Sequence, residues 1–218
     1  MVFAPVFMFV HVGILLVLLK TVTTLSSGPL IPPRLATADD LPVIAALQLE
    51  AFDPAPSEQA APSFLGSLFG SGGRSTRADR ARRITAELEE RVAKGSDLLV
   101  TGREGEPRLL GAVDLSEQEM LLPTHGLCEG LYLSGMAVDS AERRRGIGKL
   151  LLQAAGERAV SQGAEGIYLH VERSNAAAIA LYKGCGYVKL ALTPQLAGFT
   201  SALNLAHKEP LLLFKRLP

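Results

Sequence analysis

Residues 131–149 read LYLSGMAVDSAERRRGIGK, and this stretch decides how the rest of the chain is read. Leu131 and Leu133 alternate with Tyr132 and Ser134, the period-two pattern of a strand, and the apolar character continues through Met136, Ala137 and Val138 to Asp139. An amphipathic helix is expected from Ile147 to Ser161. Between strand and helix stand Arg143, Arg144 and Arg145, followed by Gly146, Ile147, Gly148 and Lys149. Three cations at a helix N-terminus oppose the macrodipole, which places roughly half a positive charge there, so the pattern asks for an anion between them. Unpaired first-turn N–H groups point at such a ligand, and glycines without side chains let a phosphate approach the backbone. A diphosphate is the economical guess; a solvated basic turn capped by two glycines is the plain alternative. Two familiar phosphate loops fail. The Walker pattern needs Gly where Arg143 stands and Ser or Thr where Leu150 stands, and the dinucleotide pattern needs Gly where Leu151 stands.

Working outward, Thr37 followed three residues later by Asp40 marks a helix start, with Leu41, Ile44, Ala45 and Leu47 as the apolar face of a helix over 39–51. Residues 53–73, rich in Pro, Gly and Ser, read as a long connection with one apolar turn at Phe64, Leu65, Leu68 and Phe69. Thr76 and Asp79 open a second helix whose stripe is Ile84, Leu88 and Val92 and which stops at Lys94-Gly95. Its arginines Arg74, Arg77, Arg80, Arg82 and Arg83 are assigned to a solvated face, because acids follow at Glu87, Glu89 and Glu90. Asp97–Arg103 and Arg108–Asp114 form a hairpin, 131–139 a third strand with Gly135 as a bulge, and 166–172 a fourth. A helix after Asn175 ends near Gly184, and two strands, near 187–190 and 210–215, complete the chain. Neighbouring strands first, then strands alternating with helices, imply an α/β domain with one mixed sheet.

The pattern Arg143-x-x-Gly146-x-Gly148 after a strand ending Met-Ala-Val-Asp resembles motif A of the GCN5-related N-acetyltransferases (GNAT). About 25 residues on, LHVERSNAAAIALYKGCGY, from Leu169 to Tyr187, resembles motif B. The resemblance runs over roughly 33–218. It implies a central mixed, mostly antiparallel sheet splayed between 131–139 and 166–172 and flanked by helices, with acetyl-CoA in the splay and direct transfer of acetyl to an amine. It further implies that the main-chain groups of Met136, Ala137 and Val138 hold the pantetheine arm, as in strand addition, that the loop 143–149 holds the pyrophosphate, and that Asn175 meets the cofactor. Tyr182 would protonate the departing thiolate; a phenol, with an ordinary pKa of about 10, can donate at physiological pH.

An amine must lose a proton before attacking a carbonyl. Strand alternation puts Tyr168, His170 and Glu172 on one face, with Tyr132 and Ser134 together on the neighbouring strand. In the N-terminal acetyltransferase branch a strand tyrosine and a histidine at matching positions relay that proton through water, so Tyr132 and His170 are assigned the role. A histidine near pKa 6.5 is closer to an α-amine at roughly 7.7–8.0 than to a lysine at about 10.4, which favours a protein α-amine and leaves lysine open. Acetylation of a small, polyamine-like amine and a silent acyl-CoA-binding module are the competing readings.

The composition agrees with one substantial core: 48% of residues are hydrophobic and 22 Lys plus Arg balance 22 Asp plus Glu, so no global field draws nucleic acid or an anionic membrane. Cys128 and Cys185 lack metal spacing, and His125 with Cys128 has no second pair, so no metal is expected. Residues 1–38 contain no acid, and Val2 to Leu19 run apolar except for His11. Eighteen residues make a helix of about 27 Å, marginal for a bilayer. Residues 1–30 are accordingly assigned as a targeting or anchor segment, organellar with the plastid favoured or single-pass, ahead of an acetyltransferase domain over 31–218.

Overall fold

The computed structural model describes residues 28–52, 76–117, 130–190 and 210–218. Seven strands form one sheet: β1 (Arg34–Leu35), β2 (Asp97–Gly102), β3 (Leu109–Ser116), β4 (Gly130–Val138), β5 (Gly166–Val171), β6 (Val188–Lys189) and β7 (Leu211–Arg216). Their order across the sheet is β1-β2-β3-β4-β5-β7-β6, and every neighbouring pair is antiparallel except β4 and β5. The helices are α1 (Leu41–Phe52), entered through a 3-10 turn at Ala38–Asp40, α2 (Arg77–Ala93), α3 (Ile147–Ser161) and α4 (Ala176–Gly184). Among the described residues, no helix is long and apolar enough to cross a membrane. The apolar run at 2–19, the connection at 53–73, and His125 with Cys128 lie outside the described residues.

Local chemistry explains the element starts. The Asp40 carboxylate accepts from the Thr37 N–H at 2.7 Å and from its hydroxyl at 2.9 Å, and Asp79 repeats the arrangement on Thr76. Arg34 also grips Asp40 at 2.6 Å, and this hydrogen bond, the largest cause, brings the carboxyl down to about 2. The described start of the chain is tied to the sheet: Arg103 donates to the Gly28 carbonyl at 2.6 Å, and Ile31 N–H to the Gly102 carbonyl at 3.1 Å.

The sheet is covered on both faces. Ile147, Leu151, Ala155 and Ala159 recur every fourth residue on α3 and pack with Leu99, Leu110, Val113, Leu131, Leu133, Ile167 and Leu169. On the opposite face, Leu41, Ile44, Ala45 and Leu47 of α1 and Leu88 of α2 cover Leu98, Val100, Leu109 and Ala112. Truncating a fully buried residue such as Leu151 is expected to cost about 2–5 kcal/mol. The expected α2 stripe is shorter than the spacing suggested: Leu88 is buried, but Val92 is 43% exposed, and the last turn sends Arg91 to the sheet instead.

Two irregularities shape the functional region. Ala112 pairs with Ala137 and Asp114 with Ser134, so β4 carries an extra residue, and Gly135 takes φ +59 in that bulge. A Cβ at Gly135 would lie 2.5 Å from Gln48 Nε2, whose amide donates to the Gly135 carbonyl at 3.0 Å. β4 and β5 pair only at Gly130 with Gly166, Leu131 with Ile167 and Tyr132 with Tyr168. Beyond Tyr132 the two strands part.

Candidate active site

The splay leaves main-chain groups of β4 without a strand partner. The Asp139 N–H donates to the Leu110 carbonyl at 2.9 Å, and antiparallel alternation then turns Ala137 towards its partner Ala112 on β3. Met136 and Val138 are turned the other way, towards the gap. Of the three residues expected to offer main-chain groups there, Ala137 therefore spends its own within the sheet. The Val138 carbonyl receives Arg143 Nε at 3.3 Å.

The loop between β4 and α3 is more ordered by ion pairs than its run of arginines suggests. Glu142, 6% exposed, accepts from Arg103 at 2.8 Å and from Arg145 at 3.1 Å, so Arg145 is turned back onto the scaffold. Hydrogen bonding from Arg103, the largest cause, holds the Glu142 carboxyl below its ordinary value. Arg143 and Arg144 are exposed, and Arg144 has φ +65, unusual for a residue with a side chain. Gly146 caps α3 with φ +85, and a Cβ there would meet nothing within 4 Å. Gly148 serves a different end: a Cβ would lie 2.9 Å from Leu181 and 2.9 Å from Met136, so its smallness seats α3 against α4 and β4. Ile147 is buried and offers only its N–H, while Lys149 is exposed. The first helical N–H groups have no intrahelical acceptor, which makes this loop a fitting cradle for a diphosphate.

Two side chains from the sequence reading meet where the strands part, and a third contacts Met136 on the bulged strand. Tyr132 Oη and His170 Nδ1 are 3.0 Å apart, with the rings tilted by 49°. His170 is exposed and Tyr132 half-buried. Burial raises the Tyr132 phenol above its ordinary value, and partial shielding of the His170 ring from water lowers the imidazole below its own even though the residue as a whole is exposed. Tyr182 enters from α4, 8% exposed, and its hydroxyl donates to the Met136 sulfur at 3.6 Å. Burial pushes this phenol up to about 12, so it stays protonated. Asn175 stands at the N-terminus of α4, where its Oδ1 accepts from the Ala178 N–H at 3.0 Å. That cap uses the oxygen and leaves the amide nitrogen to contact any ligand.

One group escaped the sequence reading. Arg91 reaches from α2 to Asp114 on β3 at 2.9 Å and to Ser134 on β4 at 2.8 Å. Ser134 in turn donates to Asp114 at 3.2 Å. Asp114 is fully buried, and burial raises its carboxyl above the ordinary value against the pull of Arg91. The available signal was an acid inside an otherwise apolar strand, LLGAVDLS.

The sheet with its parallel splay, the bulge and the helix-start loop are one arrangement, and comparison with known proteins says which family shares it. Residues 73–187, more than half of the chain, match the model of the acetyltransferase (GNAT) family, and the chain belongs to that family. A ribosomal protein bS18-alanine N-acetyltransferase of Salmonella typhimurium is 42% identical over 55 residues, which is 25% of this chain and 37% of that protein. The chain thus spans 16% and 37% of the lengths of the two curated relatives it matches. Among solved structures, a ribosomal-protein-alanine N-acetyltransferase from Brucella melitensis superposes with a TM-score of 0.55 at 22% identity, covering 86% of this chain and 100% of that one. The PaiA N-acetyltransferase of Thermoplasma acidophilum, solved in complex with coenzyme A, gives 0.58 at 14% identity over 86% and 99%. These likenesses establish the fold.

Proposed function

We propose that the chain transfers acetyl from acetyl-CoA directly to the α-amine of a protein or peptide. The observation that carries this reading is the Tyr132–His170 pair, 3.0 Å apart at the point where β4 and β5 separate. With the imidazole in the tautomer protonated at Nε2, Nδ1 accepts from the Tyr132 hydroxyl. A proton leaving the amine, directly or through one water, reaches Tyr132 Oη while the phenol passes its own proton to Nδ1, which becomes imidazolium. The lowered His170 pKa keeps the imidazole neutral at physiological pH and ready for that proton. Acetyl-CoA, when bound, supplies the activated acyl group. Met136 and Val138 would align its pantetheine arm, Arg143, Arg144 and the N–H groups of Ile147, Gly148 and Lys149 its diphosphate, and the Asn175 amide would add a contact. Tyr182 stays protonated and faces the Met136 sulfur, a position from which it can donate to a departing thiolate.

The test is acetyl-CoA turnover by the full chain, followed as thiol release, on peptides with free α-amines, on peptides with blocked N-termini and internal lysines, and on polyamines. Preference for free α-amines is expected. Turnover confined to polyamines overturns the reading, and tight acetyl-CoA binding without turnover replaces it with a silent acyl-CoA-binding module.

A further inference from the structure

We propose that Arg91 is a specificity-determining residue of the amine site, taking a carboxylate at the second or third position of a peptide whose α-amine lies at Tyr132 and His170. The inference rests on the α-amine reading above. Arg82 and Arg83 are 77% and 70% exposed and pair only with acids of their own helix. Arg91 instead crosses to the sheet, where its side chain is 34% exposed and Asp114 beneath it is 0% exposed. A buried ion pair of this kind adds little net stability, because desolvation offsets the Coulomb gain. Stability therefore does not account for it, whereas fixing the guanidinium does.

The fixed guanidinium has capacity to spare. Both contacts to the sheet use Nη2, which leaves the Nε and Nη1 donors without a partner among the described residues. The pair is neutral as a whole, but its carboxylate is sealed and its outer end is the cation. Arg91 and Lys94 line a depression of about 620 Å³ together with Ser116, Glu117 and Gln162. Ser116 is the register partner of Tyr132, so the depression borders the strand pair that carries Tyr132, while Tyr132 and His170 themselves lie outside its lining. Ser134, which Arg91 grips, stands two residues beyond Tyr132 on the same face, about 7 Å along the strand. An extended peptide advances about 3.3–3.6 Å per residue, so that distance corresponds to two positions past the acetylated amine. A guanidinium held there offers single N–H donors, from Nε or from Nη1, to a carboxylate and repels a second cation.

The experiment uses three peptides with the same first residue and Glu, Gln or Lys at the second and third positions. The full chain is expected to favour Glu over Lys by about fivefold or more in kcat/KM, with the difference in KM. Arg91→Met alone would strand a buried carboxylate, so the Arg91→Met, Asp114→Asn double variant carries the test and should bring the ratio to within about twofold. Arg91→Lys, which keeps the charge and loses the Nε and Nη1 donors, should retain part of the preference. Equal use of Glu and Lys peptides by the parent removes this inference and leaves the α-amine reading standing, as does a uniform fall on all three peptides in the double variant. Turnover of polyamines alone removes both.

Discussion

Two buried acids anchor the two ends of the splay, and they are held differently. Glu142, under the β4–α3 loop, is shared by Arg103 and Arg145, and Arg103 also binds the Gly28 carbonyl, so one carboxylate ties the chain's described start to that loop. Asp114, on β3 beside Ser134, faces a single guanidinium and one hydroxyl, both on Oδ2, and its Oδ1 is buried without a hydrogen-bond partner among the described residues. The carboxyls respond in opposite directions: Arg103 lowers Glu142, while burial raises Asp114. An acid satisfied by two cations behaves as scaffold. One buried in a strand interior and met by a single arginine constrains that arginine, which also reaches Ser134 two residues from Tyr132.

The largest expected effect is on the scaffold side. Glu142→Gln leaves Arg103 nearly buried with its charge uncompensated, and should lower stability by about 3 kcal/mol, or roughly 6–12 °C in Tm. At the amine end, His170→Ala and Tyr182→Phe should each lower turnover by about tenfold or more with little change in acetyl-CoA affinity. Unchanged turnover in both would remove their assigned roles. Arg144→Glu combined with Gly146→Trp should instead weaken acetyl-CoA binding in a folded protein, measured by calorimetry; intact affinity would mean the diphosphate lies elsewhere. Asp114→Asn is the smaller stability change, about 1 kcal/mol or less, because the replaced carboxylate is itself costly to bury. A larger loss there than in Glu142→Gln, read from denaturant midpoints, would invert the comparison. The smallest effect is in pH. Burial lowers the His170 pKa, so its neutral form persists to lower pH and the acid limb of kcat/KM should fall below pH 6.5; a limb above that value would assign the titration to another group.

Much of this was legible before folding was considered. The four-residue recurrence along α3 and the glycine-punctuated arginine loop identify the strand–loop–helix unit, since helix periodicity and backbone sterics are local properties. Alternation alone places Tyr132 with Ser134 and Tyr168 with His170. Local pattern misjudged what long-range contacts decide. Arg145 reads as a free cation until Glu142 and Arg103 close on it, and Val92 reads as core until the end of α2 is seen to present Arg91. Gly148 has a packing role that its neighbours in sequence do not announce: the side chains of Leu181 and Met136 occupy the space of its missing Cβ.

By itself, the sequence determined the element types, the glycine-punctuated arginine loop between strand and helix, and the faces on which the tyrosines and histidine lie, because these depend on neighbours a few residues apart. The tertiary structure decided where β4 and β5 part, which main-chain groups that parting leaves over, and that Arg91 meets Asp114 beside Tyr132. Those outcomes depend on strand register and on helix packing between distant segments, where one residue of slip or a quarter turn of α2 would give a different site.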